Sequence, residues 1–76
     1  MQIKVLGPGC ARCRQLEANA REAAKQLGLD CEIEKVADFQ EYPKYGLMMT
    51  PGLVVDGRLK VQGKLASVDE IKALLA

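Results

Sequence analysis

GPGCARC, residues 7–13, sets two cysteines three positions apart where one sequence pattern stops and another begins. Before it, Met1 to Leu6 alternates Ile3 and Val5 with the polar Gln2 and Lys4, the period of a strand. Gly7-Pro8-Gly9 breaks that strand. From about Cys10 the period becomes helical. Cys13, Leu16, Ala20, Ala23, Ala24 and Leu27 fall on one face, with Arg, Glu, Gln and Lys opposite, and Gly28 is placed to end the helix. The cysteine pair therefore lies where a first strand feeds a first helix.

The rest of the chain continues the alternation of elements. Cys31 to Ala37 reads as a second strand, with Ile33 on one face and Val36 on the other. Asp38 is placed to cap a short helix reaching about Tyr45, with Gly46 ending it. Pro43 lies too far inside for an N1 proline, so this helix should be kinked or partly 3₁₀. Leu53–Val55 and Arg58–Gln62 flank Asp56-Gly57, the strongest short hairpin signal. Ser67-Val68-Asp69-Glu70 has the form of a capping box and opens a last helix with Ile71, Leu74 and Leu75 inward. The order is β-α-β-α-β-β-α. Its β-α-β start needs parallel strands and a right-handed crossover, and the hairpin adds two antiparallel strands. The expected architecture is a mixed four-stranded sheet flanked by helices. In such sheets chemistry gathers at the carboxyl ends of strands, which is where the cysteine pair falls.

At 76 residues there is room for one small domain, 1–76. With 49% hydrophobic and 28% charged residues, the composition is that of a soluble globular protein. The formal net charge is +1 with both signs interspersed, so no one-signed face for nucleic acid is expected. No apolar run approaches a membrane span, and no signal peptide is recognisable, so a cytoplasmic protein is expected. Three cysteines is an odd count, which argues against a stapled secreted scaffold. In a reducing compartment a CxxC pair is redox-active or metal-binding more often than a permanent staple.

A thiol attacks a disulfide only as the thiolate. At a helix N-cap or first turn, unpaired backbone N–H groups and the helix dipole favour that anion, so Cys10 is the candidate nucleophile. Arg12 and Arg14 add positive charge in the same turn. Cys13, one turn on, is placed to attack the Cys10 sulfur once a mixed disulfide has formed. A metal is the rival. Structural zinc wants four ligands, and the chain has no histidine and one further cysteine, Cys31. Cu(I) accepts two thiolates. Small copper-carrying domains also put a CxxC between first strand and first helix, in the form M-x-C-x-x-C. Here Pro8 stands at the methionine position, and the chain closes on a helix where theirs closes on a strand.

Residues 48–57, MMTPGLVVDG, add a second signal. An N-terminal CxxC, a later Thr50-Pro51 and the order β-α-β-α-β-β-α together resemble the thioredoxin fold, and more narrowly the minimal thioredoxin-like or glutaredoxin-like proteins of prokaryotes. The resemblance covers essentially the whole length. It implies a protein thiol-disulfide oxidoreductase with Cys10 as nucleophile and Cys13 as resolving thiol. It also implies a cis Pro51 facing the cysteines. The Thr50 backbone would pair with substrate as an added strand, a mode that reads side chains loosely. Ala11 and Arg12, between the cysteines, join Thr50 and Pro51 as expected substrate contacts. Departures from the family pattern are specific. Gly9 stands where ordinary thioredoxins carry Trp, the first strand offers only Lys4 where they bury an acid, and Gly63 is followed by Lys64 where glutaredoxins carry a second glycine.

Other residues have simpler readings. Cys31 is expected as a small buried hydrophobe, and Met48 and Met49 as core or rim residues. Phe39, Tyr42 and Tyr45 are expected to pack the irregular second helix, and Glu32 and Glu34 to face solvent. No metal or cofactor is expected. The expected partners are disulfide-containing proteins and an upstream thiol reductase, with no nucleic acid, no membrane and a monomeric state. Two other readings stand beside this one: a soft-metal or metalloid module using the same thiolates, and a non-catalytic adaptor of the same fold.

Overall fold

β1 (Gln2–Leu6) is the strand around which everything else is arranged. In the computed structural model, which describes residues 1–76, it lies inside a four-stranded sheet of order β2-β1-β3-β4. It pairs parallel with β2 (Glu32–Val36) and antiparallel with β3 (Gly52–Val55), which pairs antiparallel with β4 (Arg58–Gln62). This is the mixed sheet expected from the element order. The alternation of β1 sends Ile3 and Val5 to one face and Lys4 and Leu6 to the other, and the register aligns Val55 and Leu53 with the first pair.

The face bearing Ile3, Val5, Leu53 and Val55 carries both helices, α1 (Ala11–Leu27) and α2 (Val68–Leu75). Leu16, Ala20, Ala23 and Ala24 are buried on it from α1, and Ile71 and Leu75 from α2. The alanine-rich stripe keeps the α1 axis close to the sheet, and Ala24 sits beside the buried end of the helix before Gly28 closes it. Asn19 Nδ2 donates to the Ala66 carbonyl (2.9 Å), and Lys72 Nζ donates to Gln26 Oε1 (2.9 Å), so α2 and its approach are tied to α1.

The opposite face is covered by far less chain. A single 3₁₀ turn, Tyr42–Tyr45, and Leu47 after it close over Leu6 and Val54, with Tyr42, Tyr45, Val36 and Leu59 at the margin. Of the short helix expected from Asp38, kinked or partly 3₁₀ and ended by Gly46, the 3₁₀ part and its Gly46 end are found, while Asp38 opens a turn and not a helix. Asp38 Oδ1 accepts from the Gln40 amide (2.9 Å), which closes a local turn, and Pro43 withholds the amide that would extend a helix. That turn presents Phe39 to solvent, so Phe39 does not pack here as expected, while Tyr42 and Tyr45 do.

Two terminators behave as their residues require. Asp56 and Gly57 both have positive φ (49° and 83°), the left-handed pair that a two-residue hairpin turn needs. Asp56 then ties the hairpin to β1 by accepting from the Gln2 amide (2.8 Å). Ser67 and Glu70 form the reciprocal capping box at the start of α2. One inward residue is corrected. Leu74 is 38% exposed and outside the core, because at about 100° per residue it lies roughly a quarter-turn from Leu75 while Val68, Ile71 and Leu75 cluster together. Cys31 is half-buried at the entrance to β2, against the edge of the main core. No helix is long and apolar enough to cross a membrane.

Candidate active site

The register of β1 assembles this end of the sheet. Leu6 is paired with Gly52 on one side and Val36 on the other, and the Gly7 amide donates to the Val36 carbonyl (3.0 Å). Pro51, directly before β3, is thereby brought beside Gly7, directly after β1. Gly7-Pro8-Gly9 then turns the chain into α1, with Cys10 as its extended N-cap (φ −69°, ψ 171°) and Cys13 facing the core from the first turn.

Cys10 is exposed and Cys13 is buried, yet their sulfurs are 2.8 Å apart, both as free thiols. Burial on one side and exposure on the other separate their acidities. The Cys10 thiol is held below its ordinary pKa, first by the hydrogen bond from the Cys13 thiol and then by the backbone N–H groups of Cys13 and Arg12. Cys13 moves the opposite way, because burial disfavours its thiolate and its proton is shared with Cys10. The direction expected for Cys10 is reproduced with a different leading cause. The partner thiol and the helix amides carry the lowering, and the side chains of Arg12 and Arg14 point into solvent. No side-chain cap hydrogen bond closes the helix and no acidic residue lies in its first turn, so these amides are left to the sulfur.

Ala11 and Arg12 are exposed in the first turn. Thr50 is exposed and Pro51 is buried, joined by a cis peptide bond. Both Met49 and Pro51 offer their carbonyls to the Gly63 amide (3.0 and 2.9 Å), which anchors this loop to the end of β4. The structure thus brings Cys10, Cys13, Ala11, Arg12, Thr50 and Pro51 to one end of the sheet. Met48 and Met49 lie in the same loop with 89% and 64% of their surface exposed, so neither is a core residue. Cys31 belongs to the other end, where β2 begins, and no three His, Cys, Asp or Glu side chains gather as a metal-ligand cluster.

Three further residues near the cysteines are not read from the sequence as part of the site. Gly7 is buried, and a Cβ added to it would fall closer than 3.0 Å to Cys13 Sγ and 4.0 Å from the Pro51 Cα. Tyr42 lies near enough for the charge of the cysteines to act on it. Its phenol is held above the ordinary pKa, first by burial and then by Cys13, Asp38 and Cys10. Glu17, one turn beyond Cys13, is a buried carboxylate where none was expected from the first strand. It accepts from Arg21 (2.7 Å) and faces Lys35 Nζ at 3.4 Å, and its pKa is lowered chiefly by the Arg21 hydrogen bond. Two cations hold it ionised, so it is a clamp between α1 and β2. The i, i+4 relation of Glu17 to both Cys13 and Arg21 was the available signal.

Residues 1–76 match the family model described as the thioredoxin domain. A thioredoxin from Methanothermobacter thermautotrophicus is 50% identical over 76 residues, which span all of this chain and 99% of that protein. A thioredoxin from Methanocaldococcus jannaschii is 40% identical over 70 residues, spanning 92% of this chain and 80% of that protein. With a paired-thiol site at the end of a mixed sheet and relatives at this identity, the chain belongs to the thioredoxin family and is a thiol-disulfide oxidoreductase.

Proposed function

We propose that the protein, as one domain spanning residues 1–76, reduces disulfides of other proteins through Cys10 as nucleophile and Cys13 as resolving thiol. The observation that carries this reading is the 2.8 Å contact between an exposed sulfur with lowered pKa and a buried one with raised pKa. The Cys10 thiolate attacks one sulfur of the substrate disulfide. A Cys10–substrate disulfide forms and the other substrate sulfur leaves as a thiolate. Cys13 then attacks Cys10 Sγ. The Cys10–Cys13 disulfide forms, the second substrate thiolate leaves, and the Cys13 proton goes to a departing thiolate. Two electrons have passed to the substrate, and an upstream thiol reductase returns them to the pair.

Thr50 and Pro51 form the ledge against which an extended substrate segment lies, with Ala11 and Arg12 completing the contact. The exposed Phe39, Met48 and Met49 near this end suit a protein partner, since methionine adapts to varied apolar surfaces. Action as a monomer in the reducing cytoplasm is consistent with the odd cysteine count.

Reduction of insulin disulfides with dithiothreitol as the supplied reductant tests the reading. The unmutated protein should accelerate the reaction well beyond dithiothreitol alone, and Cys10→Ser should remove the acceleration. A folded, unmutated protein that gives no acceleration would defeat it.

A further inference from the structure

We propose that Gly7 is a positioning residue for the exchange reaction: the side chain it lacks is the space in which the Cys13 sulfur sits. The proposal rests on Cys13 acting as the resolving thiol. Gly7 is not among the glycines with positive φ, so its backbone conformation is open to any residue and the requirement is one of space. A Cβ there would lie closer than 3.0 Å to Cys13 Sγ, a separation that real Cβ atoms essentially never show, and 3.1 Å from Cys13 Cβ.

Neither backbone is free to retreat. Gly7 is held through its amide to Val36 and through the neighbouring Leu6–Gly52 pairing, and the Pro51 Cα lies 4.0 Å from where its Cβ would stand. Cys13 belongs to a helix whose next inward residues, Leu16 and Ala20, are fully buried against the sheet. The remaining freedom is rotation about χ1 of Cys13, and rotation carries the sulfur off the line that gives it the 2.8 Å contact with Cys10. Gly52 makes a useful contrast. The atoms crowding it are the methyl ends of Leu47, which can swing aside without touching the chemistry. At Gly7 the crowding atom is the reacting atom.

Gly7→Ala therefore separates the two halves of the reaction. A stoichiometric aromatic disulfide that releases a coloured thiolate at each exchange reports capture by Cys10 and resolution by Cys13 as two phases. In Gly7→Ala, capture measured at a pH where Cys10 is ionised should stay within about threefold, and resolution should slow at least about tenfold, since ångström displacements of a reacting pair cost up to about 100-fold. A merely structural glycine would leave the ratio of the two phases unchanged, and an unchanged ratio overturns the proposal. Urea unfolding of Gly7→Ala/Cys13→Ala against Cys13→Ala supplies the second measurement. Without the sulfur only the 3.1 Å approach to the Cβ at position 13 remains, so Ala at position 7 should cost clearly less than it does beside Cys13, and the double variant should fold even where Gly7→Ala alone does not. If the double variant also fails to fold, Gly7 serves the backbone and the proposal falls. A missing second phase in the unmutated protein would instead sink the resolving role of Cys13, and this proposal with it.

Discussion

Replacing Cys13 by Ser should strand the protein on its substrate. Attack by Cys10 needs no second thiol, whereas release needs a sulfur close to the new Cys10 disulfide, and the structure holds one 2.8 Å away. Short flexible tethers give effective concentrations of about millimolar, and well-oriented intramolecular pairs reach about 10⁵ M or more. Burial raises the pKa of Cys13 and so thins its attacking thiolate at neutral pH, which argues for a value far below that upper range. Even about 1 M would exceed 1 mM of an external thiol by about 10³. The Cys10 mixed disulfide of Cys13→Ser should then persist at least about 1,000-fold longer in 1 mM thiol than that of the unmutated pair. The assay is the release of coloured thiolate from a stoichiometric aromatic disulfide, made in a Cys31→Ala background so that the third thiol adds no signal. The unmutated pair should release two equivalents and the variant one. A variant that releases its second equivalent at the unmutated rate would refute the reasoning, because some other group would then be resolving the bond.

Two other expectations concern charge. Cys13→Ala should raise the pH midpoint for alkylation of Cys10 by iodoacetamide, because it removes the largest influence favouring that thiolate, while the helix amides keep the midpoint below that of an ordinary thiol. An unmoved midpoint would show that the Cys13 thiol is not the donor. Glu17→Gln should destabilise the protein at neutral pH by about 1 kcal/mol, a modest figure because the Arg21 and Lys35 side chains are 58% and 61% exposed. The folded pKa of Glu17 is depressed, so its contribution is complete above the unfolded carboxylate range and is lost as pH falls through the folded value. Urea midpoints of the two proteins should therefore converge below about pH 4. A gap that stays constant down to pH 3 would mean that Gln is disfavoured by packing and not by charge.

Local signals in the sequence were sufficient where the cause is local. Asp56-Gly57, the Ser67–Glu70 box, Gly28 and the inward stripe from Cys13 to Ala24 each specify backbone or burial within a turn or two, and each is found as read. That Cys10 and Cys13 form a close pair was equally legible, because three-residue spacing at a strand-to-helix junction fixes their separation. What escaped depends on residues far apart in the chain. Of the two cations that face the buried Glu17, Lys35 comes from a strand distant in sequence. Gly7 looks like one of several turn glycines until the Leu6–Gly52 register brings Pro51 beside it and the helix brings Cys13 against it. Phe39 and Leu74 failed for a geometric reason. An aromatic or a leucine near an amphipathic stripe is easily assigned inward, but a side-chain bond at Asp38 and one hundred degrees of helical phase send them outward.

The two helix starts show how the fold divides stability from reactivity. α2 has everything a helix N-terminus asks for: a Ser cap, the returning Glu70 side chain, and Asp69 and Glu70 against the dipole. α1 has none of these. It begins at a cysteine that makes no cap bond, with arginines at positions 12 and 14 where acids would be favoured. A missing cap of this kind costs about 1 kcal/mol, which is a sizeable share of the roughly 4–11 kcal/mol expected for a domain of this size. The helix tolerates that cost because its stability comes from elsewhere: seventeen residues with a buried face against the sheet and a second helix tied alongside through Asn19 and Gln26. Leaving the first-turn amides uncommitted is what lets them favour a thiolate at Cys10. A Ser or Asp cap placed among them would compete for the same N–H groups. The uncapped amides of α1 therefore coincide with the exposed Cys10 sulfur, and the packing of α1 farther along is what makes that arrangement sustainable.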